Sequence, residues 1–351
     1  MVVAQHRDPS PELAAFLRDW PGAWYWATDD HTRLILIQGV APVRPERWLW
    51  HGALLVLFVI CTLAAGEIVA GQLRPPTYSG LGGAVTGGLE FAEYLVAGGW
   101  RALPSGWAFA MPLLGILLVH ELGHYFVARR YAIDVSPPYF IPVPPNLSPI
   151  GGLSAFIRLR NAVYDRRQLL DVGAAGPLLG FLIALVVLYW GYHLSHRMGA
   201  PVAGAPSFIL FAGRPIVLGD SLVSRFLREW IVPGQGPVQL APEAFAGWVG
   251  MFITGLNLLP LSQLDGGHVL YGLVGKQQRT VAIAVALGLV ALGTRAPMWY
   301  LWAGLTLAIG GGRWGHAEVV IPDRPVNRRG RWVGAGCVVV FALTFVPIPF
   351  G

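Results

Sequence analysis

His120-Glu121-Leu122-Gly123-His124 lies inside the apolar run from Trp107 to Ala128, so ionisable side chains occupy a segment that otherwise suits a membrane interior. On an α-helix, residues four apart share a face. Both imidazoles can therefore bind one metal ion while Glu121 lies beside its open coordination position. An ionisable group at the centre of a spanning helix costs about 2.5 to 3.5 kcal/mol and is kept mostly for function. The stretch predicts metal-dependent hydrolysis inside a membrane.

The composition is that of a membrane protein. Of the 351 residues, 54% are hydrophobic and only 13% are charged, and the chain contains 14 Trp. These values do not suit a soluble domain of this length. Glycine and proline are frequent but scattered, which favours spans broken by functional turns over a low-complexity linker.

Hydropathy predicts an all-α, polytopic membrane protein of about six to seven transmembrane helices. A span needs about 20 apolar residues, so the short fifth and sixth segments form either a tilted hairpin or segments that do not cross completely. The predicted spans are 49–71, 106–128, 170–192, 244–264, 280–293, 297–310 and 332–350.

The basic residues predict the orientation of these spans. If the N-terminus is cytoplasmic, 18 of the 25 Lys and Arg residues fall on the cytoplasmic side, as the positive-inside rule expects. This orientation places the His124 end of the second span and Asp265 on the cytoplasmic side. The net charge of +6 then reflects membrane topology, and no base-stacking or helix-turn-helix pattern indicates a nucleic-acid partner.

A second informative segment, Gly255 to His268, reads GLNLLPLSQLDGGH. Pro260 kinks or ends a helix, and Gly266 and Gly267 permit a tight turn, so Asp265 can reach another helix. The alternative is an aspartate at the membrane surface that caps the next helix. Two histidines and one carboxylate would complete three protein ligands and leave a fourth position open, as in catalytic zinc sites.

Together the two segments resemble the site-2 protease family of intramembrane zinc metalloproteases. The family's helix motif matches His120, Glu121 and His124, and its downstream Asn-x-x-Pro-x-x-x-Leu-Asp-Gly motif matches residues 257–266. The resemblance implies that His120, His124 and Asp265 bind one zinc ion per chain. It also implies that Glu121 is the catalytic base and that the zinc site lies between two core spans.

Softer matches lie between these motifs. Residues 148–160 resemble the family's glycine-containing re-entrant segment, for which a β-like structure is expected, and residues 175–180 resemble the small-residue start of its third core span. The likeness covers about residues 50–275. We find no inserted PDZ-like module in the loops, so the chain resembles the compact members of the family.

Substrate recognition poses a physical problem, because a helix hides its peptide bonds. The strand-like segment that contains Gly151 and Gly152 is predicted to pair with an unwound substrate as an added strand. An amide in a span often bonds across helices; the resemblance suggests instead that Asn257 contacts the substrate backbone or the developing oxyanion. The expected partners are a transmembrane protein or peptide substrate and the lipid bilayer.

The chain is expected to divide into a cytoplasmic N-terminal segment (1–48), a first span with its external loop (49–105), a metalloprotease core (106–275) and C-terminal spans (276–351). The apolar residues of segment 1–48 form either a strand pair or a membrane-surface element. The expected location is the bacterial inner membrane, with an organelle membrane as the alternative. The sequence does not predict the oligomeric state.

Two other function classes fit parts of the pattern. One is a zinc-binding but non-proteolytic scaffold or transporter, although a transporter more often shows paired broken helices or repeat symmetry, and neither is present in the sequence. The other is a non-haem iron oxygenase, since two histidines and one carboxylate also suit iron. A base beside the open metal position has a clear task in hydrolysis, so Glu121 favours a protease.

Overall fold

The structure is a computed structural model that describes residues 10–21, 23–26, 34–37, 46–71, 80–160, 163–198, 205–316, 319–322 and 324–350. The chain divides into two compact units, Met1–Arg47 and Trp48–Gly351. Three of the 18 Lys and Arg residues on the predicted cytoplasmic side lie outside the described residues, namely Arg7, Arg33 and Arg44.

The first unit contains a short helix and a strand pair. Helix α1 (Pro11–Asp19) begins after Ser10, whose hydroxyl oxygen accepts a hydrogen bond from the Leu13 N–H at 3.2 Å and so caps the helix. Strands β1 (Ala23–Trp26) and β2 (Leu34–Ile37) pair antiparallel. The strand pair named as one alternative for the apolar residues of this segment is therefore present.

The second unit is mostly helical. Three of its segments are long and apolar enough to cross a membrane, and they correspond to the first three predicted spans: Trp48–Val69, Leu103–Arg130 and Arg166–Leu194. In chain order, the helices of its described residues are α2 (Trp48–Val69), α3 (Gly80–Val96), α4 (Trp107–Arg130), α5 (Arg166–Leu194), α6 (Leu222–Ile231), α7 (Pro242–Asn257), α8 (Asp265–Val274), α9 (Gln278–Gly293), α10 (Met298–Ile309) and α11 (Arg328–Thr344).

The four later predicted spans differ from single long helices. Helices α7, α9, α10 and α11 contain 12 to 17 residues, so each extends about 18 to 26 Å, against a hydrocarbon core of about 30 Å. The predicted span 244–264 is interrupted, because α7 ends at Asn257 and Pro260 supplies no backbone donor. Ser262 then adopts a left-handed backbone with φ of 42°, and a new helix begins at Asp265.

Helix α3 and a four-stranded sheet are among the elements that hydropathy did not predict. Helix α3 lies in the expected external loop, where many glycines and two glutamates dilute the apolar signal. A four-stranded sheet follows α5, so the all-α description needs this addition. The sheet has the order β5-β8-β6-β7 and consists of β5 (His196–Arg197), β6 (Ser207–Phe211), β7 (Arg214–Leu218) and β8 (Val238–Gln239).

The predicted β-like segment after the second span forms a strand pair. Strand β3 (Tyr139–Pro142) pairs antiparallel with β4 (Gly152–Phe156), with Tyr139 opposite Phe156. Helix α5 packs against α4, α7 and α8, and α4 also contacts α7, where Phe109 stacks on Phe245 with ring centroids 5.2 Å apart. The apolar core therefore surrounds α4, α5 and α7, the helices that position the buried polar residues.

Candidate metal centre

Helix α4 buries three ionisable side chains far from both of its ends. His120, Glu121 and His124 are 3%, 4% and 6% exposed. At 1.5 Å per residue, His120 lies about 20 Å from the start of the helix and about 15 Å from its end. The group therefore lies well inside a segment that is long enough to cross a membrane.

The structure brings together the three predicted ligands. His120 Nε2 and His124 Nε2 are 3.2 Å apart, and Asp265 Oδ2 lies 3.3 Å from each of them. Ligand atoms at 2.0–2.1 Å from a tetrahedral zinc ion are about 3.3 Å from one another. These separations fit three ligands of one such ion. Among the described residues, this is the one group of three or more His, Cys, Asp or Glu side chains close enough to hold a metal ion.

Helix α5 contacts both imidazoles and forms a hydrogen bond with His124. His124 Nδ1 lies 2.7 Å from the Val172 carbonyl oxygen, which only accepts hydrogen bonds, so Nδ1 carries the proton and Nε2 keeps a lone pair for a metal. Gly176 and Gly180 give the rings room. An ideal Cβ at Gly176 would overlap the His124 ring, and one at Gly180 would lie 2.9 Å from His120 Nδ1.

The turn between α7 and α8 positions Asp265. The chain reverses after Asn257, and Asp265 becomes the first residue of α8, where a carboxylate is stabilised by the helix dipole. Gly266 permits this turn, because an ideal Cβ there would overlap the Leu258 carbonyl. Of the two alternatives for Asp265, the structure has the side chain that reaches another helix, since the N-cap of α8 is Leu264 and no side chain caps it.

Asn257 also lies at this centre. Its Nδ2 is 3.3 Å from His120 Nε2, so the amide lies beside one of the candidate ligand atoms. The contact joins α7 to α4.

Glu121 faces the end of strand β4. The backbone N–H of Ile157, the residue after β4, lies close to the Glu121 carboxylate. In the described part of the chain, Glu121 forms no ion pair with an arginine, and this includes Arg129 on the same helix. The end of strand β4 therefore lies beside Glu121, the candidate base.

Gly151 and Gly152 lie against α2. Gly151 has φ of 74°, and an ideal Cβ there would overlap the backbone at Cys61; one at Gly152 would overlap the ring of Phe58. Both glycines are buried. Their observed contacts are therefore with the helix, and Ile157, five residues after Gly152, is the residue of the segment that lies close to Glu121.

Two polar residues near the centre were missed by the sequence reasoning. His316 Nε2 lies 2.7 Å from His268 Nδ1, and the buried Gln278 amide donates to the Pro260 carbonyl oxygen at 3.0 Å. His268 thus has a side-chain partner from a distant turn, in keeping with a structural role. Neither His316 nor Gln278 belongs to a local motif, so no sequence signal could have found them.

Comparisons with known proteins identify the family of the chain. A model of peptidase family M50 matches residues 108–293, which is more than half of the chain. The chain belongs to peptidase family M50. The resemblance to the site-2 protease family is thereby confirmed.

Several curated relatives are plant proteins. The chain is 28% identical over 256 residues to the probable zinc metalloprotease EGY2, chloroplastic, of Arabidopsis thaliana. The matched region covers 71% of this chain and 42% of the relative. It is 35% identical over 193 residues to the probable zinc metalloprotease EGY1, chloroplastic, of the same plant. That matched region covers 52% of this chain and 34% of the relative. The chain thus spans less than half the length of these relatives. No solved structure matches it.

Proposed function

We propose that this chain is an intramembrane zinc metalloprotease that hydrolyses peptide bonds within or near transmembrane segments of membrane proteins. The observation that carries the proposal is the equal spacing of 3.2 to 3.3 Å among His120 Nε2, His124 Nε2 and Asp265 Oδ2, with Glu121 buried next to His120. Membership of peptidase family M50 and the names of the plant relatives support it.

Each polar residue has a role in this proposal. His120, His124 and Asp265 hold one zinc ion, which when bound supplies the activation of water and the polarisation of the scissile carbonyl. Glu121 accepts the proton of the attacking water and passes it to the leaving amine. Asn257 donates to the oxygen on which negative charge develops, where a neutral donor avoids a further buried charge.

Strand β4 is the proposed docking site for the substrate. An unwound transmembrane segment would add to its free edge and bring a peptide bond to Glu121, since the strand ends at the residue before Ile157. Main-chain pairing does not depend on the substrate's side chains, which suits substrates that share only an apolar span. Gly151 and Gly152 serve this site by holding the start of the strand close to α2.

We also propose a topology for the chain and the membrane in which it lies. We propose six to seven spans, a cytoplasmic N-terminus and an active site toward the cytoplasmic side of a bacterial inner membrane, which the distribution of Lys and Arg supports. The relatives named chloroplastic favour an organelle membrane as the alternative. The cysteines do not distinguish the two membranes, because Cys61 and Cys337 are both buried and form no disulfide.

The test is cleavage of single-span reporter proteins by the purified chain and by Glu121→Gln, with bound zinc quantified in both. We expect the variant to keep zinc and to lose at least about 100-fold in rate, as removal of a general base predicts. Equal cleavage by the two proteins would refute the role of Glu121. Bound zinc without cleavage of any reporter by the unmodified chain would favour a non-proteolytic zinc-binding scaffold or transporter.

A further inference from the structure

A cationic cavity lies apart from the metal ligands, where the start of α9 meets the turn after α10. Its volume is about 470 Å³, and Lys276, Arg279 and Arg313 line it together with Gly312 and Gly315. None of the described residues that line this cavity is acidic. A concave surface of one charge sign concentrates ligands of the opposite sign, so its ligand is an anion.

Two of these cations are available to a ligand. Arg279 and Arg313 are exposed, and within the described ranges neither forms an ion pair with a carboxylate. Arg279 is nevertheless held in place: an ideal Cβ at Gly315 would lie 3.1 Å from the Arg279 Cβ, so the arginine stem packs closely on the turn. The site therefore differs from a solvated arginine on a free helix face.

The wall of the cavity is fixed by hydrogen bonds from Gln278, which is 1% exposed. Its side chain donates to the Pro260 carbonyl oxygen at 3.0 Å and accepts from the His316 N–H at 2.9 Å. The Ser262 N–H donates to the Trp314 carbonyl oxygen at 2.9 Å. Because the turn is already ordered, a ligand does not have to order it on binding.

We propose that this cavity binds a phosphate group, and that its source is the headgroup of an anionic phospholipid. Two guanidinium groups match the geometry of phosphate oxygens, since each can donate two parallel hydrogen bonds. The same cavity reaches Ile283, which lies further along α9 and is 39% exposed. A cationic mouth beside an apolar wall fits a lipid that carries both a phosphate and an acyl chain.

The test compares lipid binding by native mass spectrometry of the full chain in an uncharged detergent. Phosphatidylglycerol and phosphatidylcholine are added separately, with inorganic phosphate as a soluble competitor. The double variant Arg279→Gln, Arg313→Gln removes both guanidinium groups. Arg295→Gln is the matched control, because Arg295 is an exposed arginine in the segment between α9 and α10 that does not line the cavity.

We expect phosphatidylglycerol to bind the unmodified chain and Arg295→Gln equally, and the double variant at least about tenfold more weakly, as loss of charge-assisted hydrogen bonds predicts. The pair Arg279→Lys, Arg313→Lys should retain part of the binding, and unchanged melting temperatures will show that the variants fold. Equal phosphatidylglycerol binding by the unmodified chain and the double glutamine variant would overturn the proposal. Arginine-dependent binding of inorganic phosphate without the lipid would overturn the lipid source.

Discussion

Replacing Gly180 with alanine tests whether α5 sets the position of His120. An ideal Cβ at position 180 would lie 2.9 Å from Nδ1 and 3.2 Å from Cβ of His120. Carbon contacts are most favourable at about 3.5 to 4.0 Å, so the ring or the helix must move by about 0.5 Å. A metal site tolerates deviations of only about 0.2 Å in its ligand distances, so the displacement exceeds what His120 can absorb.

The size of the effect follows from comparable disturbances. Loss of a group that orients a metal-bound histidine lowers metal affinity about 10- to 100-fold, which corresponds to about 1.4 to 2.7 kcal/mol. Overpacking of a helix contact costs about 1 to 3 kcal/mol of stability in addition. We therefore expect Gly180→Ala to bind zinc about 10- to 100-fold more weakly and to lose cleavage at limiting zinc.

The assay is a zinc titration of the purified protein against a competing chromophoric chelator. Gly115→Ala is the matched control: it is the same substitution in α4, where an ideal Cβ has no atom within 4 Å. It should bind zinc like the unmodified chain. Equal zinc affinity for Gly180→Ala and Gly115→Ala would refute the view that α5 fixes the ligand geometry.

Three further predictions follow from the same site. Asn257→Ala should lower kcat about 100- to 1,000-fold with zinc retained, measured on a peptide reporter, because an oxyanion donor is lost; a change in KM alone would contradict this role. N-methylation of alternate substrate amides should lower kcat/KM when the methyl groups face β4 and have little effect when shifted by one residue; equal effects in both registers would exclude strand pairing. Zinc at 100 times its Kd should stabilise the protein by about 2.7 kcal/mol over the chelated form, seen as a higher melting temperature, whereas Asp265→Ala should show no such difference.

The sequence predicts the part of the site that lies on one helix, but it predicts only in part how Asp265 joins it. His120, Glu121 and His124 could be placed on one helix because helical periodicity fixes their spacing. The location of Asp265 beside them depends on the turn after Asn257, which is a tertiary feature. Pro260 and the glycines signal that a turn exists, but the 3.3 Å approach of Asp265 to the histidines is a property of the fold.

Other parts of the fold carry no signal that hydropathy can detect. The span predicted to continue to residue 264 ends at Asn257, because an apolar run does not reveal where a helix stops and an irregular segment of equal hydropathy begins. His268 and His316 contact each other across 48 residues of sequence, so neither position predicts the other. Close-packed turns of this kind are determined by the surrounding helices rather than by local propensity.

The balance of charge accounts for the composition of the centre. Uncompensated charge in a membrane interior is costly, and a divalent cation held by two neutral imidazoles is balanced by two carboxylates, Asp265 and Glu121. In the proposed mechanism, a proton moves from water to Glu121 while negative charge moves onto the substrate oxygen, so the net charge of the site stays constant. A cationic oxyanion donor would disturb this balance, whereas the neutral amide of Asn257 preserves it. The residue types at Asp265, Glu121 and Asn257 therefore follow from one requirement, which is that the net charge of the site stays constant.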